Sequence, residues 1–147
     1  MRPSASWKID DTASEVKRKL LIVDDSATVR SLIKVFLMGR SYEFVEAPDG
    51  REGMLLARST TIDGAVIDLN MPNVDGLSFL RQLRSSELPR LRALPVILLT
   101  GEKSIDARRD GLAAGANAFL QKPVAKARLT DVIDVYLSRT PAAGTTR

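Results

Sequence analysis

Short apolar runs that end in an acidic or polar residue recur along this chain, with segments of helical period between them. That alternation constrains the fold more than any other feature. Leu20-Leu21-Ile22-Val23 ends in Asp24-Asp25, and Gly64-Ala65-Val66-Ile67 ends in Asp68. Pro95-Val96-Ile97-Leu98-Leu99 ends in Thr100, and Ala118-Phe119-Leu120 is closed by Lys122-Pro123. Tyr42 to Glu46 reads as a further short strand. Continuous apolar runs suit strands covered on both faces. Between them, Val29, Leu32, Ile33 and Phe36 mark one face of a helix that Ser26 starts. Pro48-Asp49-Gly50 turns into a second helix reaching about Arg58, and Leu77, Leu80 and Leu83 begin a third. Ser104 caps a fourth that runs to about Ala114 and ends at Gly115, with Gly111 inside it as a predicted weak point. Leu129, Val132, Ile133, Tyr136 and Leu137 form the apolar stripe of a fifth. Five strands alternating with five helices predict an α/β fold, a doubly wound five-stranded parallel sheet with helices on both faces.

In such a sheet ligands bind at the carboxyl ends of the strands. Asp24, Asp25, Asp68, Thr100 and Lys122 all follow strands and are expected to gather at that edge. Three carboxylates in a small space repel one another unless a cation joins them. The chain has no histidine and no cysteine, so any metal must be held by oxygen, which favours Mg²⁺ or Ca²⁺. Magnesium keeps some waters, which leaves room for a phosphate oxygen. A lysine and a threonine beside the acids supply a positive charge and a hydroxyl donor, the groups that hold a transferring phosphoryl group. An aspartate can accept that group as an acyl phosphate. Taken singly, each residue has an ordinary role: an acid after a strand is a turn or cap residue, Thr100-Gly101 a turn, Lys122-Pro123 a strand exit. The ordered set, each member at a strand end, is what carries the reading.

The segments LLIVDDSATVR, AVIDLNMPNVDG, PVILLTG and FLQKPV resemble the receiver domain of two-component response regulators, the chemotaxis type being a close relative. The resemblance runs from about Lys19 to Arg139 and implies the flavodoxin-like receiver fold. It implies that Asp68 is the residue phosphorylated, and that Asp25 and Asp68 bind Mg²⁺ directly together with the backbone carbonyl of Asn70, Asp24 acting through water. Thr100 and Lys122 would each engage a phosphoryl oxygen. Phe119, three residues before the lysine, stands at the family's aromatic switch position; as a phenylalanine it offers no ring hydroxyl, so switching would rest on packing. Asn70 and Glu102, two residues after Asp68 and Thr100, stand where the family tunes dephosphorylation. The Lys122–Pro123 peptide is expected to be cis. The phosphoryl donor would be a histidine kinase or a histidine phosphotransfer protein. Output would pass by protein–protein contact, with a target the sequence does not name, or by onward phosphorelay.

Rival classes fit less well. An aspartyl-phosphate hydrolase of the haloacid-dehalogenase type wants a second acid two residues after the nucleophile, and Asn70 stands there. Thr100-Gly101-Glu102-Lys103-Ser104 lacks the glycine spacing of a phosphate-binding loop. The chain therefore reads as a phosphoacceptor switch that assists its own phosphorylation and dephosphorylation, not as an enzyme. With 147 residues, 44% of them hydrophobic, the chain suits one domain. No apolar run nears the ~20 residues of a membrane span, and no signal-peptide stretch opens the chain, which points to the cytoplasm. A net charge of +4 spread without a dense basic run argues against nucleic acid. Residues 1–18 read as a flexible extension with Trp7 loosely packed, 19–139 as the receiver domain and 140–147 as a flexible tail, too short for a DNA-binding module.

Overall fold

The computed structural model describes residues 17–71, 74–101 and 105–137. In chain order the elements are β1 (Arg18–Val23), α1 (Ala27–Phe36), β2 (Tyr42–Ala47), α2 (Gly50–Ser59) and β3 (Gly64–Asp68). They continue with α3 (Gly76–Arg84), α4 (Pro89–Arg92), β4 (Val96–Thr100), α5 (Ile105–Ala113), β5 (Ala118–Gln121) and α6 (Lys126–Tyr136). The five strands form one parallel sheet in the order β2-β1-β3-β4-β5. From β1 the chain steps outward to β2 and then crosses back to β3. The strand order therefore reverses between β1 and β3, the place where a doubly wound sheet opens a crevice at its carboxyl edge.

The continuous apolar runs are explained by what covers each face. Successive strand residues point to opposite sides. Leu21, Val23, Ala65, Ile67, Val96 and Leu98 face one core, with Phe79, Leu80 and Leu83 of α3. Leu20, Ile22, Val66, Ile97 and Leu99 face a second core, with Ile33 of α1 and Leu129 and Ile133 of α6. All of these side chains are fully buried, so neither face tolerates the polar alternation of a half-exposed strand. Local chemistry starts the helices. The Ser26 hydroxyl accepts from Val29 N at 3.2 Å, Asp49 from Glu52 N at 2.8 Å and Asp75 from Ser78 N at 2.8 Å, each satisfying a first-turn amide that has no helical partner.

Several expectations need correction. A sixth helix, α4, follows α3. Its four residues are too few to show a period; Pro89 opens it, where a missing N–H costs nothing, and Leu91 is sunk in the core. On α1, Leu32 is 36% exposed while Leu37, just past the helix, is fully buried, because the helix is rotated so that Ile33 and Leu37 face the sheet. β1 begins at Arg18, two residues before the apolar run Leu20–Val23 that marks it in the sequence. Gly111 is the covered residue of α5. A Cβ there would lie 2.8 Å from Leu98 Cδ1 and 3.1 Å from Phe119 Cε1, so the glycine brings α5 onto β4 and β5 instead of merely loosening the helix. The expectations for Trp7, Glu102, the Ser104 cap and the 140–147 tail lie outside the described residues.

Candidate functional site

The acids that close β1 and β3 meet across the crevice between those strands. One carboxylate oxygen each from Asp24, Asp25 and Asp68 falls within a 4.8 Å cluster. Asp24 is fully buried and Asp68 is 2% exposed, while Asp25 faces solvent. The backbone of Asp24 is tied down from both sides: its amide donates to the Ala47 carbonyl at 3.1 Å, and its carbonyl accepts from Arg30 Nη1 at 2.5 Å. Asp24 Oδ1 accepts from Ser26 N at 2.8 Å, so the residue that caps α1 also orients the acid before it. Asp68 Oδ1 accepts from Asn70 N at 3.2 Å.

Lys122 reaches this cluster from the end of β5. Its Nζ lies 3.0 Å from Asp24 Oδ2 and 3.2 Å from Asp68 Oδ1. The Lys122 amide donates to the Thr100 carbonyl at 2.7 Å, and the Lys122–Pro123 peptide is cis, as expected. Thr100 closes β4 and is completely buried. Leu69 N donates to the Leu99 carbonyl at 2.7 Å, which ties the segment after Asp68 to the neighbouring strand. The ends of β1, β3 and β5 thus bring Asp24, Asp25, Asp68 and Lys122 together, and Thr100 ends β4, the strand between those of Asp68 and Lys122.

Burial is the main reason the Asp68 carboxyl is held above the usual carboxylate range; the Asp24 charge adds to it, and Lys122 opposes it. Burial disfavours the Lys122 ammonium, yet pairing with Asp24 and then Asp68 outweighs this and raises its pKa. Three carboxyl groups and one lysine side chain make up this cluster. Asp24 Oδ2 is, among the described residues, the buried side-chain oxygen that accepts no hydrogen bond; the Lys122 ammonium beside it supplies charge without hydrogen-bonding geometry. A buried carboxylate oxygen in that condition is costly. The donor set, all carboxylate oxygen with one acid open to solvent, fits a hard divalent cation.

Two site features escape sequence reasoning. Gly76, the first residue of α3, donates its amide to the Leu69 carbonyl at 2.9 Å. A Cβ there would lie 2.4 Å from the Asp68 carbonyl oxygen and 2.7 Å from Leu69 Cα. Only glycine lets α3 begin this close to the acceptor segment, and the one signal in the sequence is Asp75-Gly76 after the loop. Arg30 is the other: nothing in its spacing shows that its guanidinium spans to the Asp24 carbonyl. Phe119 is not in the acid cluster. It pairs with Leu98, two residues before the Thr100–Gln121 pair, and its half-buried ring lies against Gly111. The Asn70 side chain is exposed beside Asp68, and Glu102 lies outside the described residues. Among the described residues no helix is long and apolar enough to cross a membrane.

A family model, the response regulator receiver domain, matches residues 20–134. The response regulator MprA of Mycolicibacterium vanbaalenii is 38% identical over 122 residues, which are 83% of this chain and 51% of that protein. The chain therefore spans about half the length of the curated relatives it matches. Among solved structures, the chemotaxis protein CheY4 of Vibrio cholerae is 31% identical with a TM-score of 0.76, over 83% of this chain and all of that one. The receiver domain of a sensor histidine kinase from Pseudomonas aeruginosa, solved with magnesium coordinated in its active site cleft, is 27% identical with a TM-score of 0.74. That match covers 84% of this chain and 99% of the other.

Proposed function

Because this chain belongs to the response regulator receiver domain family of two-component signalling, we propose that it is a phosphoacceptor switch with Asp68 as the residue that takes the phosphoryl group. The observation that carries this is the placement of Asp68: an almost fully buried acid closing β3, in a cluster with two further carboxylates and 3.2 Å from a lysine ammonium. The elements that serve this purpose run from Arg18 to Tyr136, and the protein would act in the cytoplasm.

Asp25 and Asp68, with the Asn70 carbonyl, would hold Mg²⁺, and Asp24 would act on it through water. When bound, the ion supplies charge that offsets the carboxylates and the incoming phosphoryl oxygens. The chain's own groups do the rest. A histidine kinase or a histidine phosphotransfer protein presents a phosphohistidine. A carboxylate oxygen of Asp68 attacks phosphorus; the new P–O bond forms as the P–N bond breaks, and the electron pair leaves on the imidazole nitrogen. Lys122 follows one phosphoryl oxygen and the Thr100 hydroxyl donates to another, so both groups engage the product more strongly than the free acid. Water later cleaves the acyl phosphate and restores the Asp68 carboxylate, with Asn70 and Glu102 governing its approach.

The signal then leaves through a changed surface around α5, β5 and α6. Thr100 drawn toward the phosphoryl group moves the segment after β4, and Phe119 takes a second packing against α5, two discrete states in place of a continuum. Output is contact with a target protein, or transfer of the phosphoryl group onward to a histidine. The deciding experiment treats wild type and Asp68→Asn with acetyl phosphate and Mg²⁺ and follows the added mass of one phosphoryl group. Wild type should gain it and the variant should not; incorporation at the wild-type rate in Asp68→Asn removes Asp68 from this role.

A further inference from the structure

Helix α1 leaves an apolar face uncovered at the edge of the sheet. Leu32 is 36% and Val35 54% exposed on one side of the helix, and Met38, in the turn just past its end, is 72% exposed. Beyond them lies a groove of about 480 Å³, floored by Val35, Met38, Tyr42 and Phe44 with Lys34 and Arg40 on its rim. The Tyr42 and Phe44 rings stack with centroids 6.4 Å apart, giving the groove a flat aromatic wall. Lys34 and Arg40 pair with Glu46 and Asp134 in contacts that keep more than a third of each cation in solvent.

The chain comes into the fold beside this groove. Lys17 is the first described residue, Arg18 N donates to the Ser41 carbonyl at 3.3 Å, and Arg18 stands opposite Tyr42 in the ladder. One strand spacing, ~4.8 Å, separates the incoming chain from the groove's near wall. The residues just before Lys17 include Trp7 and Ile9, followed by Asp10 and Asp11. The ten residue steps from Trp7 to Lys17 reach ~33 Å when extended, well beyond one strand spacing. Tethering at that range makes docking effectively intramolecular, at a local concentration on the order of millimolar. Trp7 is the sole tryptophan, a large apolar ring, and the acid pair that follows it complements the two basic residues beside the groove.

We propose that the segment before β1 folds back across the edge of the sheet and seats Trp7 in the groove formed by Val35, Met38, Tyr42 and Phe44, with Asp10 and Asp11 against Lys34 and Arg40. The segment covers an apolar face that no described element of the fold covers.

Fluorescence of the full chain reads Trp7 alone. The wild type should emit at shorter wavelength than the same chain in denaturant and should be quenched several-fold less by acrylamide. Val35→Asp/Met38→Asp, two substitutions at exposed positions, should return both signals to the denatured-like values without moving the melting temperature. Leu55→Asp, at an exposed leucine of α2, should leave them unchanged. Trp7→Ser should shift the amide resonances of residues 31–44, a readout that requires no change to the groove. Wild-type emission equal to that of the denatured chain overturns the proposal, and so does an unaltered signal in the double aspartate variant. A protected Trp7 signal that fades on dilution also overturns it, since the occupant would then belong to a second copy.

Discussion

Replacing Gly76 by alanine adds one carbon where the structure has no room for it. The new methyl lies 2.4 Å from the Asp68 carbonyl oxygen, 2.7 Å from Leu69 Cα and 3.0 Å from the Asp68 carbonyl carbon. A carbon–oxygen contact settles at ~3.3–3.6 Å, so the backbone must part by roughly 1 Å. All three neighbours are main-chain atoms, and a rotamer change cannot relieve the overlap. Alanine contributes at most about 1 kcal/mol of helix preference, and less at the first position of α3. Overpacking costs about 1–3 kcal/mol, with rigid neighbours favouring the upper end. The net expectation is a loss of about 2 kcal/mol. For a chain of this size that lowers the melting temperature by about 4–8 °C. The displaced segment carries Asp68 and Asn70, so Mg²⁺ affinity should fall as well, by roughly five- to tenfold if half to two-thirds of the strain is transmitted to the site. Calorimetric melting and Mg²⁺ titration measure both effects. Gly101→Ala is the control: nothing lies within 4 Å of its would-be Cβ, and it should match wild type. Gly76→Ala melting with wild type and binding Mg²⁺ equally would refute the steric argument.

Asp25→Ala removes an exposed carboxylate and should weaken Mg²⁺ binding in calorimetry while leaving the melting curve of the metal-free protein in place; unchanged affinity would take Asp25 out of the ligand set. Burial raises the folded-state pKa of Asp68, so ionising it opposes folding. That cost is absent below the unfolded carboxylate range and complete once the pH exceeds the raised value. In EDTA, Asp68→Asn should therefore melt higher than wild type at neutral pH, with the gap closing as the solution is acidified; a gap that widens on acidification would reverse the assigned sign. Asn70→Arg and Glu102→Ala should each change the self-dephosphorylation rate several-fold, read as decay of the acyl phosphate, and identical decay curves would remove both from that role. Phe119→Ala should still accept phosphate at Asp68 yet lose the change in amide hydrogen exchange that beryllofluoride brings to residues 101–125 of the wild type; an equal response in both proteins would place the switch elsewhere.

The alternation of apolar runs with helical periods was enough to predict the sheet, because a strand covered on both faces and a helix covered on one leave different local patterns. The acids at the ends of β1 and β3, Thr100, and Lys122 before Pro123 were legible for the same reason: a strand end is a local event, and the doubly wound rule sends all such ends to one edge. The helix starts at Ser26 and Asp49 need only a few neighbouring residues to be read. Other features depend on which surfaces meet. The rotation of α1 that buries Leu37 and exposes Leu32 is set by packing on the sheet, and the apolar period allows either. Arg84 clasps the Gly115 carbonyl at 2.7 Å and the Leu91 carbonyl at 3.4 Å, joining α3 to segments far along the chain. Gly76 reads in the sequence as a loop residue and Gly111 as a weak helix residue; their purpose appears only when the Asp68 backbone stands against one and Leu98 and Phe119 against the other. The pairing of Lys122 with Asp24 and Asp68 likewise joins residues almost a hundred and more than fifty positions apart. A sequence records the preferences of each residue for its near neighbours, whereas close approach, charge compensation and helix rotation arise between surfaces that become neighbours only when the chain has folded.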